Sequence, residues 1–492
     1  MFRNTRGGEA IKTSIKSKTL RNMFWLTFNT FIIGIVNISI NFFLARKMGA
    51  AVFGQWSLIL TTTSWIVVLR TAAGSDMIRK SAQDNQYGRL VFFPIMLALI
   101  IGGSLLGVVG IFFNLAIIQT SNILMPCILI ALGFLAITIF IIPISLFAGR
   151  DHMEWQLGDS VNSLLILAGL LVLSKYGLTV NAVAKTYLIA SLIVCVPLMV
   201  FGAWLIKPIL WRGTKALIQR FIVDLGQLFI TNWLYLLHCG LDLYLLQLLM
   251  SSVEVGLYSA ALKLVIALGM LPFLFLMSVT PEMTRRTFVS DFIFVRRFWV
   301  DATRMFALSA GGLVVFILIM ADYIIHLAYG STYEPATIVL RILSISLIPR
   351  FLQTVIQSLL FAAGRYKDLI RGFAVGLLVQ AIGGLILISY FGPEGAAVAF
   401  LMAECATLVS FSVFANRAFG RPSLLVIGKV FIWLVATVSV TFFGLQLKLP
   451  VTLLLSSVTI FCLLLSYYLG CISLRDIQLG KSMWVEFLQG KA

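Results

Sequence analysis

A few ionisable residues of this sequence lie inside long apolar stretches. A charge at the centre of an apolar helix in a bilayer costs about 2.5–3.5 kcal/mol on insertion scales, so such a residue faces a wet cavity or a partner. Arg350 lies near the middle of one apolar stretch. Lys263 lies about two helical turns from the predicted outer end of another, and Arg70 lies at the cytoplasmic end of a third. These cations are candidates to bind an anionic substrate. The alternatives are snorkelling of Lys263 and a purely topological role for Arg70.

The apolar stretch 221–250 carries a stripe of polar residues. At roughly 100° per residue, the side chains of the stripe point within about 80° of one another on a helix. They are Asp224, Gln227, Thr231, Tyr235, His238 and Asp242. The stripe predicts either a polar cavity wall or a helix interface in which Asp242 pairs with a Lys or Arg. For Arg350, the alternative to substrate contact is a structural pair with Asp242 or Glu404.

The motifs of the common enzyme classes are absent from the sequence. Gly480-Lys481-Ser482 imitates the end of a nucleotide-binding loop, but Arg475 stands where the first glycine belongs. His152, His238 and His326 are widely scattered, and the six cysteines show no ligand spacing. The sequence therefore predicts no catalytic residue, no cofactor and no metal.

The composition indicates a membrane protein. The chain has 492 residues, of which 60% are hydrophobic and 11% are charged, far from the balance of soluble domains. A helical span needs about 20 apolar residues. We predict an all-α, polytopic integral membrane protein of about fourteen transmembrane helices. The predicted spans are 22–45, 50–72, 90–112, 123–148, 156–174, 180–206, 221–250, 256–280, 298–321, 338–361, 372–391, 396–415, 427–447 and 450–472.

The basic residues set the predicted orientation. The net charge of +18 comes from Lys and Arg that cluster in alternate hinges, which is typical of cytoplasmic loops and does not indicate nucleic-acid binding. Both termini are therefore predicted to be cytoplasmic. Residues 1–21 form an N-terminal segment and residues 473–492 form a tail.

Two outer hairpins share one pattern, Met-x5-Gly-x-aromatic-Ser, at Met48–Ser57 and at Met250–Ser259. A chance likeness between two small-residue hairpins is one interpretation. The other is a duplicated six-helix unit, the kind of repeat that builds transporters around a central cavity. It predicts an N-terminal lobe at 22–206, a C-terminal lobe at 221–415 and two extra helices at 427–472.

Longer stretches resemble a known family. Phe43–Ser57, Asp242–Leu246 and Val255–Leu264, followed by Pro272 and Pro281, resemble the bacterial polysaccharide flippases of the multidrug/oligosaccharidyl-lipid/polysaccharide exporter superfamily. The resemblance implies a MATE-like fold of two six-helix lobes around a central cavity. It also implies that the chain is a transporter, not an enzyme, in the bacterial inner membrane.

The implied substrate is an oligosaccharide repeat unit linked to undecaprenyl pyrophosphate. The family moves it from the cytoplasmic to the periplasmic leaflet by alternating access, for O-antigen, capsule or exopolysaccharide assembly. Arg70 and Lys263 fall where relatives place basic residues in the second and eighth helices. The first span has few charged residues, unlike that of the lipid II flippases. The implied partners are membrane lipid, a polysaccharide polymerase, a chain-length regulator, and H+ or Na+ for coupling.

Two other functions compete with this one. A drug or cation antiporter of the same fold would favour acidic residues in its cavity, and Asp242 and Glu404 are the acidic candidates. A membrane glycan polymerase or glycosyltransferase usually needs a sizeable outer loop, whereas the longest predicted here, Asp322–Thr337, is short.

Overall fold

The fold, a computed structural model, is built from α-helices. The structure describes residues 5–83, 87–118, 123–148, 153–207, 214–272, 276, 283, 287, 291–420, 424–447, 450, 457–458, 460–461 and 465. Within this part there are two short 3-10 helices, Met153–Gln156 and Ser331–Tyr333, and no β-strand. The prediction of an all-α polytopic fold is confirmed.

The α-helices are numbered here in chain order. They are α1 (Thr5–Thr63), α2 (Trp65–Gln83), α3 (Tyr87–Ile118), α4 (Leu124–Ala148), α5 (Leu157–Leu173), α6 (Val180–Ile206), α7 (Thr214–Leu249), α8 (Ser252–Gly269), α9 (Phe292–Tyr329), α10 (Ala336–Ile345), α11 (Leu347–Ala362), α12 (Tyr366–Phe419) and α13 (Leu424–Gln446).

Two of these helices contain a break at a glycine. Gly49 in α1 has φ 75° and Gly392 in α12 has φ 57°, both outside helical geometry. Side chains other than glycine rarely adopt a positive φ, so glycine suits a sharp change of direction. Each glycine lies between two predicted spans, so the break in each helix falls where the sequence predicts a tight turn.

Within the described residues, nine helical segments are long and apolar enough to cross a membrane. Two of them, Phe28–Gly74 and Tyr366–Phe419, each cover two predicted spans. The shorter apolar helices Leu157–Leu173 and Val435–Gly444 match the fifth and thirteenth predicted spans. The fourteenth, 450–472, lies mostly outside the described residues, so the count of fourteen stays a prediction.

One face of α3 shows why a bilayer must surround this chain. Ile101, Leu105 and Phe112 lie on this face and are each more than half exposed. In water such a row would be an exposed apolar patch, whereas lipid tails cover it without cost.

The chain forms two compact units. The first consists of the described residues up to Ala267 together with Leu377–Ala399, and the second of Leu268–Gly376 together with the described residues from Phe400 onward. In the second unit, a small apolar cluster of Ala307 and Trp433 joins α9 to α13. The division into lobes at 22–206 and 221–415 stays a prediction.

The two copies of the hairpin pattern meet inside the first unit. A methyl group added to Gly54 would collide with the carbonyl oxygen of Ser252, and one added to Gly256 would collide with the carbonyl oxygen of Ala50. Small residues allow such close approach of helix backbones in membranes. The glycines that match in the sequence pattern are therefore the residues at which α1 and α8 cross.

Candidate substrate-binding site

Three members of the polar stripe of α7 are buried, whereas Gln227 is exposed and Tyr235 is partly buried. Thr231, His238 and Asp242 are 6%, 0% and 1% exposed. The Thr231 hydroxyl donates a 2.8 Å hydrogen bond back to the carbonyl of Gln227. The side chain of Asp224 lies outside what the structure describes. The buried part of the stripe, Thr231 to Asp242, therefore packs against neighbouring helices.

Asp242 accepts hydrogen bonds from two neutral side chains. The Tyr258 hydroxyl of α8 donates to Oδ2 at 2.5 Å, and the Gln380 amide of α12 donates to Oδ1. Gln380 Nε2 also lies 3.0 Å from the backbone carbonyl oxygen of His238. The stripe is thus tied to two other helices of the first unit. Sequence reasoning offered two alternatives for Asp242, a Lys or Arg partner and a polar cavity, and it missed Gln380 because no charge argument selects an amide.

Lys263 of α8 reaches the first copy of the hairpin pattern. Its Nζ donates a 2.9 Å hydrogen bond to Ser57 Oγ and lies 4.4 Å from the ring centroid of Phe53. Both partners are neutral, and no carboxylate of the described residues lies within ion-pair distance of the ammonium. A hydroxyl and an aromatic face hold a cation without cancelling its charge. Lys263 is therefore suited to attract an anion.

Arg70 has a partner that the sequence did not predict. Its guanidinium forms an ion pair with Asp159, the acidic residue in the first turn of α5. The side chains are 15% and 23% exposed, so the pair is partly open to its surroundings. An anionic substrate at Arg70 would have to compete with Asp159 or share the guanidinium with it.

Arg350 forms an ion pair with Glu404 inside the second unit. Nη1 lies 3.1 Å from Oε1, and the two side chains are 4% and 0% exposed. The Gln353 amide donates to the second carboxylate oxygen, and the Arg350 guanidinium carbon lies 5.9 Å from the Phe400 ring centroid. Of the two carboxylates proposed from the sequence as structural partners, Glu404 is the one that pairs with Arg350.

The space beside the Arg350 guanidinium is tight. A methyl group on Gly269, at the end of α8, would come within 2.8 Å of Arg350 Cδ and Nε. Helix ends and an aromatic ring therefore enclose this cation, whereas Lys263 is only half-buried. Among the described residues, no three His, Cys, Asp or Glu side chains are grouped to hold a metal ion.

The sequence candidates fall into two groups. Arg70, Thr231, His238, Asp242 and Lys263 belong to the first unit, and Arg350 belongs to the second. Within the first unit, α7 and α8 are linked through Asp242 and Tyr258, while Lys263 links α8 to the first hairpin copy.

Solved structures similar to this chain include a lipid II flippase and MATE transporters. The lipid II flippase MurJ in an inward closed conformation has a TM-score of 0.69 at 14% identity, over 90% of this chain and 98% of that chain. The Vibrio cholerae MATE transporter VcmN in the bent form has 0.56 at 15% identity, over 82% and 99%. A MOP superfamily transporter from Pyrococcus furiosus has 0.60 at 12% identity, over 82% and 96%. At these identities the likeness shows the fold alone.

The family assignment comes from the sequence itself. The polysaccharide biosynthesis protein family matches residues 19–286, more than half of the chain, while a search of curated proteins finds no match. The matched range contains both copies of the hairpin pattern and the helices that carry Arg70, Asp242 and Lys263. The resemblance drawn from those stretches is confirmed, and the chain belongs to the polysaccharide biosynthesis protein family.

Proposed function

We propose that this protein is a flippase for oligosaccharide repeat units linked to undecaprenyl pyrophosphate. It takes the lipid from the cytoplasmic leaflet and releases it in the periplasmic leaflet by alternating access. Family membership and the flippase fold support the class of function. The observation that carries the substrate assignment is Lys263, a cation on a membrane helix with two neutral partners.

The charge of the substrate explains why such a lysine is needed. A pyrophosphate and its sugars cannot cross hydrocarbon unaided, since their charges and hydroxyls would lose their water. A lysine ammonium binds phosphate as a point charge from several directions, which suits a ligand that moves past it. The polyprenyl tail stays in the lipid throughout.

Arg70 and Lys263 serve as successive contacts for the pyrophosphate in this proposal. Arg70 lies at the predicted cytoplasmic end of its span, and its partly exposed pair with Asp159 can open to an incoming anion. Lys263 lies in the predicted outer part of its span. Arg350, the cation near the middle of its predicted span, stays a predicted contact for the pyrophosphate between Arg70 and Lys263, and its pair with Glu404 competes with that contact.

The stripe of α7 supplies the proposed coupling site. Asp242 is a buried carboxyl group that accepts hydrogen bonds from a phenol and an amide, and in this proposal it binds the coupling ion. Thr231 and His238 extend the polar surface of the same helix, and Asp224 continues it in the sequence. We assign uptake of H+ or Na+ to this region, because no nucleotide-binding motif is present in the sequence.

The proposed cellular setting follows from the charge pattern and the substrate. The chain lies in the bacterial inner membrane with both termini in the cytoplasm, and it acts beside a polysaccharide polymerase and a chain-length regulator. Labelling of introduced cysteines at Arg3 and Lys491 tests the topology, since reaction of either from the periplasm would contradict it. Deleting the gene should stop surface polysaccharide and leave its lipid-linked repeat unit on the cytoplasmic face. Normal surface glycan, with no related flippase compensating, would contradict the function.

Purified protein in proteoliposomes tests the assignment of Lys263. Lys263→Met keeps most of the aliphatic stem and removes the charge, and we expect at least a tenfold loss of flipping of a fluorescent lipid-linked oligosaccharide. Lys185→Met is the matched control, because Lys185 is an exposed lysine of α6. Normal flipping by Lys263→Met would contradict the assignment of this residue.

A drug or cation antiporter is the second candidate. The buried carboxyl group of Asp242 and the likeness to MATE structures favour it. Such a protein would transport cationic dyes, and its deletion would sensitise cells to them while leaving the surface glycan intact. The opposite pattern is expected here.

A further inference from the structure

An apolar groove runs between α5 and α6 in the first unit, and we call it the α5–α6 groove. It has a volume of about 550 Å³, and none of the described residues that line it is charged. Its lining includes Gly158, Val161 and Leu165 of α5 and Val194 and Phe201 of α6. Gly158 and Val194 are buried, whereas Val161 and Phe201 are exposed. The groove is therefore open to the surroundings of the protein, and its walls suit a hydrocarbon chain.

Four aromatic rings are stacked at one end of the α5–α6 groove. Trp155 lies 4.3 Å from Phe147 and 5.9 Å from Phe201, and Phe201 lies 6.0 Å from Trp204, between ring centroids. Tryptophan is enriched where a bilayer meets water, because its ring is apolar and its N–H is polar. The rings lie where α5 begins and α6 ends, which is the cytoplasmic side in the predicted orientation. The groove therefore belongs to the cytoplasmic half of the bilayer in that orientation.

Two basic residues lie beyond the stacked rings, at the end of α6. Lys207 is the C-terminal cap of α6 and follows Phe201 by six residues, roughly 9 Å along the helix axis. Arg89 of α3 donates a 3.1 Å hydrogen bond from Nε to the carbonyl oxygen of Lys207. Both side chains are exposed, and neither forms an ion pair with a carboxylate of the described residues. Both cations can therefore contact a phosphate at the membrane surface.

The proposed substrate contact lies on another face of α5. Asp159, which pairs with Arg70, directly follows Gly158. At 3.6 residues per turn, Val161 and Leu165 point roughly 120–160° away from Asp159 around the helix axis. The groove therefore faces away from the cation proposed to receive the pyrophosphate. A hydrocarbon chain in the groove and a pyrophosphate at Arg70 belong to different lipids.

We infer that the α5–α6 groove is a binding site for an anionic phospholipid of the surrounding bilayer. One acyl chain lies along the groove, the glycerol region lies beside the stacked rings, and the phosphate contacts Lys207 and Arg89. The sequence of apolar, interfacial and basic groups on the protein matches the sequence of groups along a phospholipid. The inference needs only a bilayer around the chain and does not rest on the flippase function.

Native mass spectrometry of the full chain in detergent, with added lipids, tests the site. The probes are phosphatidylglycerol and phosphatidylethanolamine with the same acyl chains, which differ in headgroup charge. We expect the first phosphatidylglycerol to bind about fivefold more tightly than phosphatidylethanolamine. Val161→Trp fills the groove and should weaken binding of phosphatidylglycerol about tenfold. Val172→Trp is the matched control and should leave binding unchanged, because Val172 is an exposed valine of α5 outside the groove.

A second pair of variants tests the charge. Lys207→Gln removes one cation and should weaken binding of phosphatidylglycerol about fivefold while leaving phosphatidylethanolamine unchanged. Lys175→Gln is its control, since Lys175 is an exposed lysine just beyond the other end of α5. If Val161→Trp lowers the unfolding temperature of the protein, Lys207→Gln alone decides.

Three results would overturn the inference. Equal affinity of the wild type for the two headgroups would mean that the basic residues select no lipid. Equal losses in Val161→Trp and Val172→Trp would mean that the groove binds no lipid more tightly than the rest of the surface does. If Val161→Trp weakened binding of undecaprenyl phosphate but not of phosphatidylglycerol, the groove would belong to a polyprenyl tail.

Discussion

Asp242 and Glu404 are buried carboxyl groups in different units of the molecule, and each accepts a hydrogen bond from a glutamine amide. Glu404 takes its second interaction from the guanidinium of Arg350, at 3.1 Å. Asp242 takes its second from the phenol of Tyr258, at 2.5 Å. The glutamine is Gln353 for Glu404 and Gln380 for Asp242. The hydrogen bonds to Asp242 come from neutral side chains, whereas Glu404 also pairs with a guanidinium.

This difference predicts separate roles for the two carboxyl groups. The charge of Glu404 is held by an ion pair, whereas neutral side chains donate hydrogen bonds to Asp242. In the second unit, loss of either Arg350 or Glu404 leaves an uncompensated charge in the protein interior, which is strongly destabilising. In the first unit, the hydrogen bonds that Asp242 accepts come from the neutral side chains of Tyr258 and Gln380. We therefore propose the first site for the transport cycle, and we expect the pair in the second unit to hold α11 against α12.

The largest effect is expected from Arg350→Ala. It leaves Glu404 buried without its guanidinium, which typically costs about 3–5 kcal/mol. We expect low abundance in the membrane and a lower unfolding temperature in detergent. The double variant Arg350→Met, Glu404→Gln removes both charges together and should restore the abundance.

The double variant also decides the role of Arg350 in transport. Restored abundance together with restored surface glycan would show that the pair only holds the helices. Restored abundance without flipping would support contact between Arg350 and the pyrophosphate. Normal abundance of Arg350→Ala alone would contradict the stability argument.

Asp242→Asn should spare the fold and impair coupling. An amide oxygen can still accept one of the two hydrogen bonds, but an amide cannot gain or lose charge. In proteoliposomes, we expect at least a tenfold loss of the acceleration that an imposed H+ or Na+ gradient gives, with abundance near normal. Asp301→Asn is the control, since Asp301 is an exposed carboxylate. An unchanged response to both gradients would remove Asp242 from the coupling site.

The overall fold class and the family were predictable from the sequence, because hydropathy, charge and the hairpin motifs are local patterns. The depth of Arg350 also required a compensating group, and Glu404 was one of the two carboxylates considered. Hydropathy gave no basis for preferring Glu404 to Asp242 as the partner of Arg350. That choice depends on which helices pack together, across 54 residues of sequence.

Other contacts left no signal in the sequence. Gln380 is 138 residues from Asp242, and its neutral amide does not stand out in a polar membrane helix. Asp159 pairs with Arg70 across 89 residues, and no local pattern singles it out. Long-range geometry, which composition does not encode, fixes all of these features.

Tyr258→Phe should have an intermediate effect. It removes one hydrogen bond to a buried carboxyl group, worth about 1.5–3 kcal/mol when the acceptor is charged. The unfolding temperature should fall less than in Arg350→Ala. In a double-mutant cycle with Asp242→Asn, the losses should be less than additive, because both changes act on the same hydrogen bond. Strict additivity would mean that Tyr258 stabilises the fold independently of Asp242.

Arg341→Ala should have the smallest effect on stability. It tests whether burial explains the difference between the Arg341–Asp322 and Arg350–Glu404 ion pairs. Arg341 Nη2 lies 2.6 Å from Asp322 Oδ2 in the same unit as Arg350 and Glu404, but the side chains are 32% and 68% exposed. Solvent screens such a pair, and exposed ion pairs contribute only about 0.2–1 kcal/mol. We therefore expect abundance and unfolding temperature close to wild type at moderate salt. If abundance and unfolding temperature fell as far as in Arg350→Ala, removal of an arginine would destabilise this unit whether or not the arginine is buried. The contrast between Asp242 and Glu404 could then not be explained by the buried charge.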